Sequence, residues 1–119
     1  MSYNVEFTDE FESWWISLTG AEQDAIDAVV HLLGEFGPQL RFPYSSAIKN
    51  SRHGRMRELR VQRGGDPYRI LYAFDPRRAA ILLMGGKKTG DDRWYEKAIQ
   101  AADDLYDEHL RTLKDEGYL

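Results

Sequence analysis

The sequence predicts an α+β domain in the order β-α-α-β-β-β-α: an antiparallel sheet with a helical hairpin on one face and a long C-terminal helix. Three observations lead there. The stretch from Met56 to Thr89, MRELRVQRGGDPYRILYAFDPRRAAILLMGGKKT, holds three strand-like runs separated by two turn signals. Ahead of it, residues 9–36 carry two apolar stripes at helical spacing, and behind it one longer stripe of the same period runs towards the C-terminus. A chain of 119 residues suits one domain over 1–119, large enough to bury a core without staples.

The first element is short: Tyr3, Val5 and Phe7 alternate with Asn4 and Glu6, the period of a half-buried strand. Thr8 offers an N-cap, and Asp9 and Glu10 follow where a helix dipole favours acids. Phe11, Trp14, Trp15 and Leu18 then recur at i, i+3, i+4 and i+7, so the two tryptophans read as core residues rather than base-stacking platforms. Thr19 and Glu22 have capping-box spacing, which starts a second helix near Gly20 or Ala21. Its stripe is Ile26, Val29, Val30 and Leu33, and Gly37-Pro38 stops it. His31 lies in this helix with no ligand pattern around it and reads as a surface or boundary residue. The two helices form a hairpin covering one side of the sheet.

From Gly37 to Arg55 no periodicity is sustained, and the segment carries Arg41, Lys49, Arg52, His53 and Arg55. A stretch of this length in a compact domain is usually functional or mobile. It reads either as an arm reaching towards a polyanion or as a solvated insertion. The next run turns Leu59 and Val61 to one face and Glu58 and Arg60 to the other. Arg63-Gly64-Gly65-Asp66-Pro67 is a turn, after which Tyr68, Ile70, Tyr72 and Phe74 oppose Arg69, Leu71, Ala73 and Asp75. Asp75-Pro76-Arg77-Arg78 turns the chain again, and Ala79 to Met84 is apolar on both faces, as a central strand should be. Gly85-Gly86-Lys87-Lys88 closes the meander, and Thr89 and Asp92 have the spacing of a further capping box. The final helix sets Tyr95, Ala98, Ile99, Ala102, Leu105, Tyr106, His109, Leu110 and Leu113 at three- and four-residue steps and ends at Gly117. Its first half is expected to pack on the sheet and its last turns to project towards another chain.

Charge is divided along the chain. Residues 1–40 hold eight acids and no Lys or Arg; residues 41–88 hold twelve basic residues against three acids; residues 89–119 hold nine acids against four basic residues. A strongly basic middle in a chain of net charge −4 suggests a surface for phosphates, or else arginines that pair with the acidic helices of the same molecule. The absence of cysteine excludes disulfides, thiolate metal sites and thiol catalysis. Nothing resembles a signal peptide or an apolar run of about 18 residues, so the expected location is the cytoplasm, away from membrane.

The three histidines lie on different elements, and no His/carboxylate set has ligand spacing, so neither a metal nor another cofactor is expected. There is no G-x-S-x-G elbow, and Gly85-Gly86-Lys87-Lys88-Thr89 lacks the spacing of a phosphate loop. What remains is a basic sheet surface with Arg, Lys, His and Tyr, which suits metal-free phosphodiester chemistry on RNA. There the ribose 2′-hydroxyl attacks its own phosphate, so the protein supplies a base, an acid and cations for the developing charge. Arginine serves the last role, its planar fork engaging phosphate oxygens bidentately. For the base, His53, Tyr95 and a lysine crowded by arginines stay open. Arg41, Lys49, Arg52, Arg55, Arg57, Arg60, Arg77 and Arg78 are the candidate RNA-binding cations.

The segments GPQLRFPY, MRELRV, PYRILYAFDPRRAAILLMGGKKTGDDRWYE and DLYDEHL, in this order of elements, resemble the RelE/ParE toxin superfamily, and within it the HigB-type, phage-derived branch of RelE-like toxins. The likeness spans nearly the whole chain and is most specific over 67–96. It implies the toxin of a type II toxin–antitoxin module, a ribosome-dependent endonuclease that cuts mRNA and is restrained by a cognate antitoxin of helix-turn-helix type, with toxin–antitoxin oligomers possible. By position it implies that Arg69 contacts the scissile phosphate. Lys87 or Lys88 matches the basic group after the last strand, Tyr95 the aromatic that follows it, and His53 a histidine in or beside the basic loop. Arg57 and Arg60 stand on the strand where RelE-type toxins use lysines. Arginine does not deprotonate, so the proton-transfer role passes to Lys87, Lys88, His53 or Tyr95. The alternatives are a ParE-type inhibitor of DNA gyrase and a non-catalytic antitoxin-binding module in operon regulation.

Overall fold

The computed structural model describes residues 2–88 and 92–119. Strand β1 (Val5–Phe7) leads into helices α1 (Asp9–Ile16) and α2 (Gly20–Phe36); then come a single 3-10 turn (Gly37–Gln39), the strands β2 (Ser45–Ala47), β3 (Arg57–Arg63), β4 (Asp66–Phe74) and β5 (Ala80–Lys87), and helix α3 (Asp92–Asp115). Both predicted caps of the helical hairpin form. The Thr8 hydroxyl accepts from the Phe11 amide at 3.0 Å, and Thr19 and Glu22 bond reciprocally, the Thr19 amide donating to the Glu22 carboxylate at 2.9 Å. Gly37 ends α2 with φ 57°, and a Cβ there would lie 2.3 Å from the Tyr3 ring. The Thr89–Asp92 capping box lies outside the described residues.

The sheet order is β1-β5-β4-β3-β2. β3, β4 and β5 form the expected antiparallel meander, but the sheet as a whole is mixed, because β1 pairs with β5 in parallel, Val5 opposite Ala80. No hairpin ties β1 to its neighbour; a whole helical hairpin and three strands intervene, so its direction is free of turn geometry. The 37–55 segment is less irregular than its sequence suggests, since β2 pairs with the edge of β3, Ser45 opposite Leu59. Pairing of β4 with β5 slips between Leu71↔Met84 and Tyr72↔Leu82, which leaves Leu83 as the extra residue of a β-bulge.

Each sheet face carries its own core. The α1–α2 hairpin covers one, with Ile26, Leu33, Leu59, Ile70, Tyr72 and Leu82 buried together. Helix α3 covers the other, over Met56, Leu71, Ala73, Ile81 and Leu83, through Ala98, Ala102 and Tyr106. The last turns of α3 do not project. Leu113 is buried, the Tyr106 hydroxyl donates to the Phe74 carbonyl at 2.9 Å, and the His109 ring meets Asp75 at 2.9 Å. Asp75 itself is buried, which pushes its carboxyl up. Hydrogen bonds from His109, Arg77 and the Ala79 amide outweigh that, so it stays below its ordinary value.

Gly85 and Gly86 each lie beneath an indole, one from either layer. A Cβ on Gly85 would fall 2.3 Å from the Trp14 ring, and one on Gly86 would fall 2.6 Å from the Trp94 ring on the opposite face. The side-chain-free pair therefore admits one indole from each side. Gly86→Ala is expected to destabilise by roughly 1–3 kcal/mol in urea unfolding, the cost of overpacking, and pairing it with Trp94→Leu should recover part of that loss. An undiminished midpoint for Gly86→Ala alone would show that the close approach is not maintained.

The Tyr68 hydroxyl donates to Glu22, joining β4 to the start of α2. That bond, followed by those within the capping box, holds the Glu22 carboxyl at about 2, and it pushes the Tyr68 phenol up to about 12. A depressed carboxyl contributes stability above its ordinary value near 4.5 that disappears as pH falls towards 2, and a raised phenol contributes stability below its ordinary 10 that disappears towards 12. Tyr68→Phe should therefore cost most stability between these limits and progressively less on either side, as read from unfolding midpoints across pH. A loss constant across pH would exclude this bond as its source.

Candidate functional site

Strand parity and the bulge decide which basic side chains meet. On β3, Glu58 and Arg60 face α3 while Arg57, Leu59 and Val61 face the helical hairpin. Arg69 on β4 stands opposite Arg60 on the α3 face. Two like charges directly across a pair of strands repel, and the counter-charge is Glu58, at 3.3 Å from Arg60 and 3.8 Å from Arg69. Glu58 is only 5% exposed and Arg69 only 6%. The carboxylate also accepts from the Ser46 hydroxyl at 2.7 Å and from the Tyr95 hydroxyl. It thus gathers β2, β3, β4 and the first turn of α3 onto one point.

Within this cluster Arg69 is fixed by one bond and left open at another. Its Nη1 donates to the Tyr68 carbonyl at 2.9 Å, while its Nε, the atom 3.8 Å from the Glu58 carboxylate, is buried without a hydrogen-bond partner among the described residues. Such a donor is costly unless a ligand meets it. Burial, and then the Glu58 carboxylate, raise the Tyr95 phenol above its usual value, against a smaller opposing pull from Arg69. Tyr95 is therefore neutral and donates its proton to Glu58.

The two lysines separate. The bulge at Leu83 reverses parity in the rest of β5, so Lys87 falls on the hairpin face, its ammonium 5.6 Å from the Tyr68 ring and 3.4 Å from Asp66. Lys88, one residue on, stands over the Tyr95 ring at 5.2 Å. The α3 face thus assembles Glu58, Arg60, Arg69, Lys88 and Tyr95. Arg57 is on the other face, where it donates to the Ser45 hydroxyl at 2.9 Å.

His53 lies elsewhere. Its Nε2 is 2.7 Å from Asp107 and its ring packs edge-on against Tyr106. Asp107 is twelve residues beyond Tyr95 on α3, about 18 Å along the helix axis, too far to share one phosphate. Arg52 meets Asp103, Asp104 and Asp107, and Arg77 meets Asp75 and Glu6, so both are engaged within the molecule. Bonds from Arg52 and then from His53 hold Asp107 below its usual carboxyl value. Arg41, Lys49, Arg55 and Arg78 are exposed, and no side-chain bond or ion pair engages them among the described residues. Among those residues no group of three or more His, Asp and Glu is arranged to hold a metal, and no helix is long and apolar enough to cross a membrane.

Glu58 is the residue the sequence did not disclose as part of the site. It alternates with core positions like any outward residue, and only the cross-strand arginines and the approach of α3 bury it. The 49–55 segment is pinned by Asp103, which is 2% exposed and accepts from the Ser51 hydroxyl and from the Arg52 amide at 2.9 Å. Asp103→Asn should release this segment, raising trypsin cleavage after Arg52 and Arg55 by about tenfold, in proportion to the open population. Unchanged cleavage would show that Asp103 does not hold it.

The family described as "Phage derived protein Gp49-like" matches residues 13–107. The "Putative toxin HigB2" of Mycobacterium tuberculosis (strain ATCC 25618 / H37Rv) is 38% identical over 109 residues, 90% of this chain and 54% of that protein. The chain therefore spans about half the length of that relative. The "Putative toxin HigB3" of the same organism is 39% identical over 95 residues, 79% of this chain and 82% of that one. Among solved structures, the isolated E. coli RelE toxin superposes with a TM-score of 0.58 at 12% identity, covering 82% of this chain and 96% of that one. RelE in the archaeal RelE–RelB complex from Pyrococcus horikoshii OT3 gives 0.56 at 18% identity, covering 76% and 100%. At these identities the two structures establish a shared RelE-like α+β fold.

Proposed function

The chain belongs to the Gp49-like family of phage-derived proteins, with HigB-type relatives and a RelE-like fold, and from that premise we propose that it is the toxin of a type II toxin–antitoxin module. It acts as a metal-independent endoribonuclease on mRNA at the ribosome and is restrained by a cognate antitoxin of helix-turn-helix type. The observation that carries this reading is the Glu58–Arg69–Tyr95 cluster, in which Glu58 and Arg69 are buried and the Arg69 Nε has no hydrogen-bond partner among the described residues, with Lys88 beside it.

In the proposed reaction Arg69 and Lys88 hold the scissile phosphate and take up the charge that develops on it. The 2′-hydroxyl passes its proton to the Tyr95 oxygen as the Tyr95 proton moves to Glu58. The freed 2′-oxygen forms a bond to phosphorus, and the bond from phosphorus to the 5′-oxygen breaks. That oxygen takes a proton from the Lys88 ammonium, leaving a 2′,3′-cyclic phosphate and a 5′-hydroxyl. Glu58, fixed by Ser46 and Arg60, is thus the final proton acceptor, and a tyrosine held neutral is suited to relay rather than to act as a free base. Lys87 and His53, away from this cluster, take no part in the step.

Induced expression with transcript mapping tests the assignment. Arg69→Ala, Tyr95→Phe and Glu58→Gln should each lower cleavage about a hundredfold or more, the usual loss for a proton-transfer or charge-stabilising group, with folding checked by circular dichroism. Lys88→Ala should cost far more than Lys87→Ala. Cleavage undiminished in Arg69→Ala and Glu58→Gln would refute the site. Growth arrest with intact transcripts and a DNA-damage response would instead indicate a gyrase inhibitor, and absence of toxicity with tight antitoxin binding a pure binding module.

A further inference from the structure

Because Ser51 and Arg52 are bonded to Asp103, the residue before them is held against α3. Asn50 adopts a left-handed backbone, φ 72°, which asparagine tolerates better than most residues. With Arg52 it lines one side of a cleft of about 590 Å³, and Tyr95, Glu96, Ile99 and Gln100 line it from α3. Tyr95 belongs both to this cleft and to the Glu58–Arg69 cluster. The cleft therefore opens directly beside the residue assigned above to take the 2′-hydroxyl proton.

Its lining has a definite chemistry. The carboxamides of Asn50 and Gln100 and the carboxylate of Glu96 form no side-chain hydrogen bonds among the described residues, whereas Arg52 and Asp103 are engaged with each other and with α3. Tyr95 and Ile99 supply apolar surface between these polar groups. Unpaired RNA bases are recognised in just this manner, by a flat apolar contact and by hydrogen bonds to their edges. A carboxamide offers one donor and one acceptor that match adenine bidentately, and a carboxylate accepts from the amino group of cytosine. Uracil has no amino group; its one edge donor, N3–H, is flanked by two carbonyl oxygens that the Glu96 carboxylate repels, so it is disfavoured against bases whose amino group lies at the rim of the edge.

We infer that this cleft receives the base next to the phosphate held by Arg69 and prefers bases with an exocyclic amino group over uracil. The inference rests on the ribonuclease reading of the same site and adds its specificity element. Asn50, Glu96 and Gln100 are the residues that read the base, and Asp103 is a positioning residue that keeps Asn50 in place.

The test uses fluorescein-labelled hexamers of adenylate, cytidylate and uridylate, titrated with the whole protein at one fixed salt concentration and followed by anisotropy. The adenylate and cytidylate hexamers should bind about tenfold more tightly than uridylate, the scale of one good edge contact. Asn50→Ala/Gln100→Ala should bring that ratio close to one, while Arg69→Ala should weaken all three hexamers together and leave the ratio intact. Equal binding of the three hexamers to the wild type, no binding of any, or a ratio preserved in the double variant would overturn the inference. Binding with the expected ratio but without transcript cleavage would sink the nuclease reading and leave the cleft standing. Cleavage without the ratio would sink the cleft alone.

Discussion

A carboxylate buried on the face of a sheet has to be neutralised on the spot, and Glu58 sets that requirement for much of the molecule. Arg60 and Arg69 lie across from one another on adjacent strands and would repel without it. Ser46 brings β2 onto the edge of β3, and Tyr95 brings the start of α3 down onto the sheet. Removing Glu58 would leave the buried Arg69 facing Arg60 with no counter-charge between them. The same demand leaves the Arg69 Nε without a hydrogen bond among the described residues, facing the Glu58 carboxylate at 3.8 Å.

Helix α3 is held along its length by charge as well as by its apolar stripe. Near its middle, Asp103, Asp104 and Asp107 meet Ser51, Arg52 and His53; nearer its end, His109 meets Asp75, which Arg77 also holds together with Glu6 of β1. The acidic character of the C-terminal segment thus has a local purpose. It occupies part of the basic middle, holding Arg52 and His53 against the helix.

Most of the fold was legible in the sequence because its signals are local. Thr8, Thr19 and Glu22 cap where spacing placed them, Gly37 and Gly117 end helices, and the meander turns where its glycine and proline clusters fall. The parallel direction of β1 was not legible, since a three-residue strand carries no information about a partner far away in sequence. Nor was the docking of the last turns of α3, which depends on a buried Asp75 two elements away. In the site, Arg69, Lys88 and Tyr95 do gather on one face, but their company was only partly readable. Alternation along β5 would have put Lys87 there; one bulged residue, Leu83, exchanges the two lysines between faces. Glu58 looked outward by parity, and nothing local distinguishes an outward acid that meets water from one that a helix and two arginines will cover.

The glycine pair at the end of β5 makes four positions interdependent across the full thickness of the domain. Trp14 reaches one side of the strand and Trp94 the other, and the backbone between them has no side chain to keep the indoles apart. A larger residue at either glycine displaces an indole, and a smaller residue at either tryptophan leaves a trench over bare peptide. Sequence drift at this point is therefore a joint event, in which the hairpin layer and the α3 layer must change in step although they never share a face. Trp94 directly precedes Tyr95, so the same quartet also sets the height at which that phenol meets Glu58.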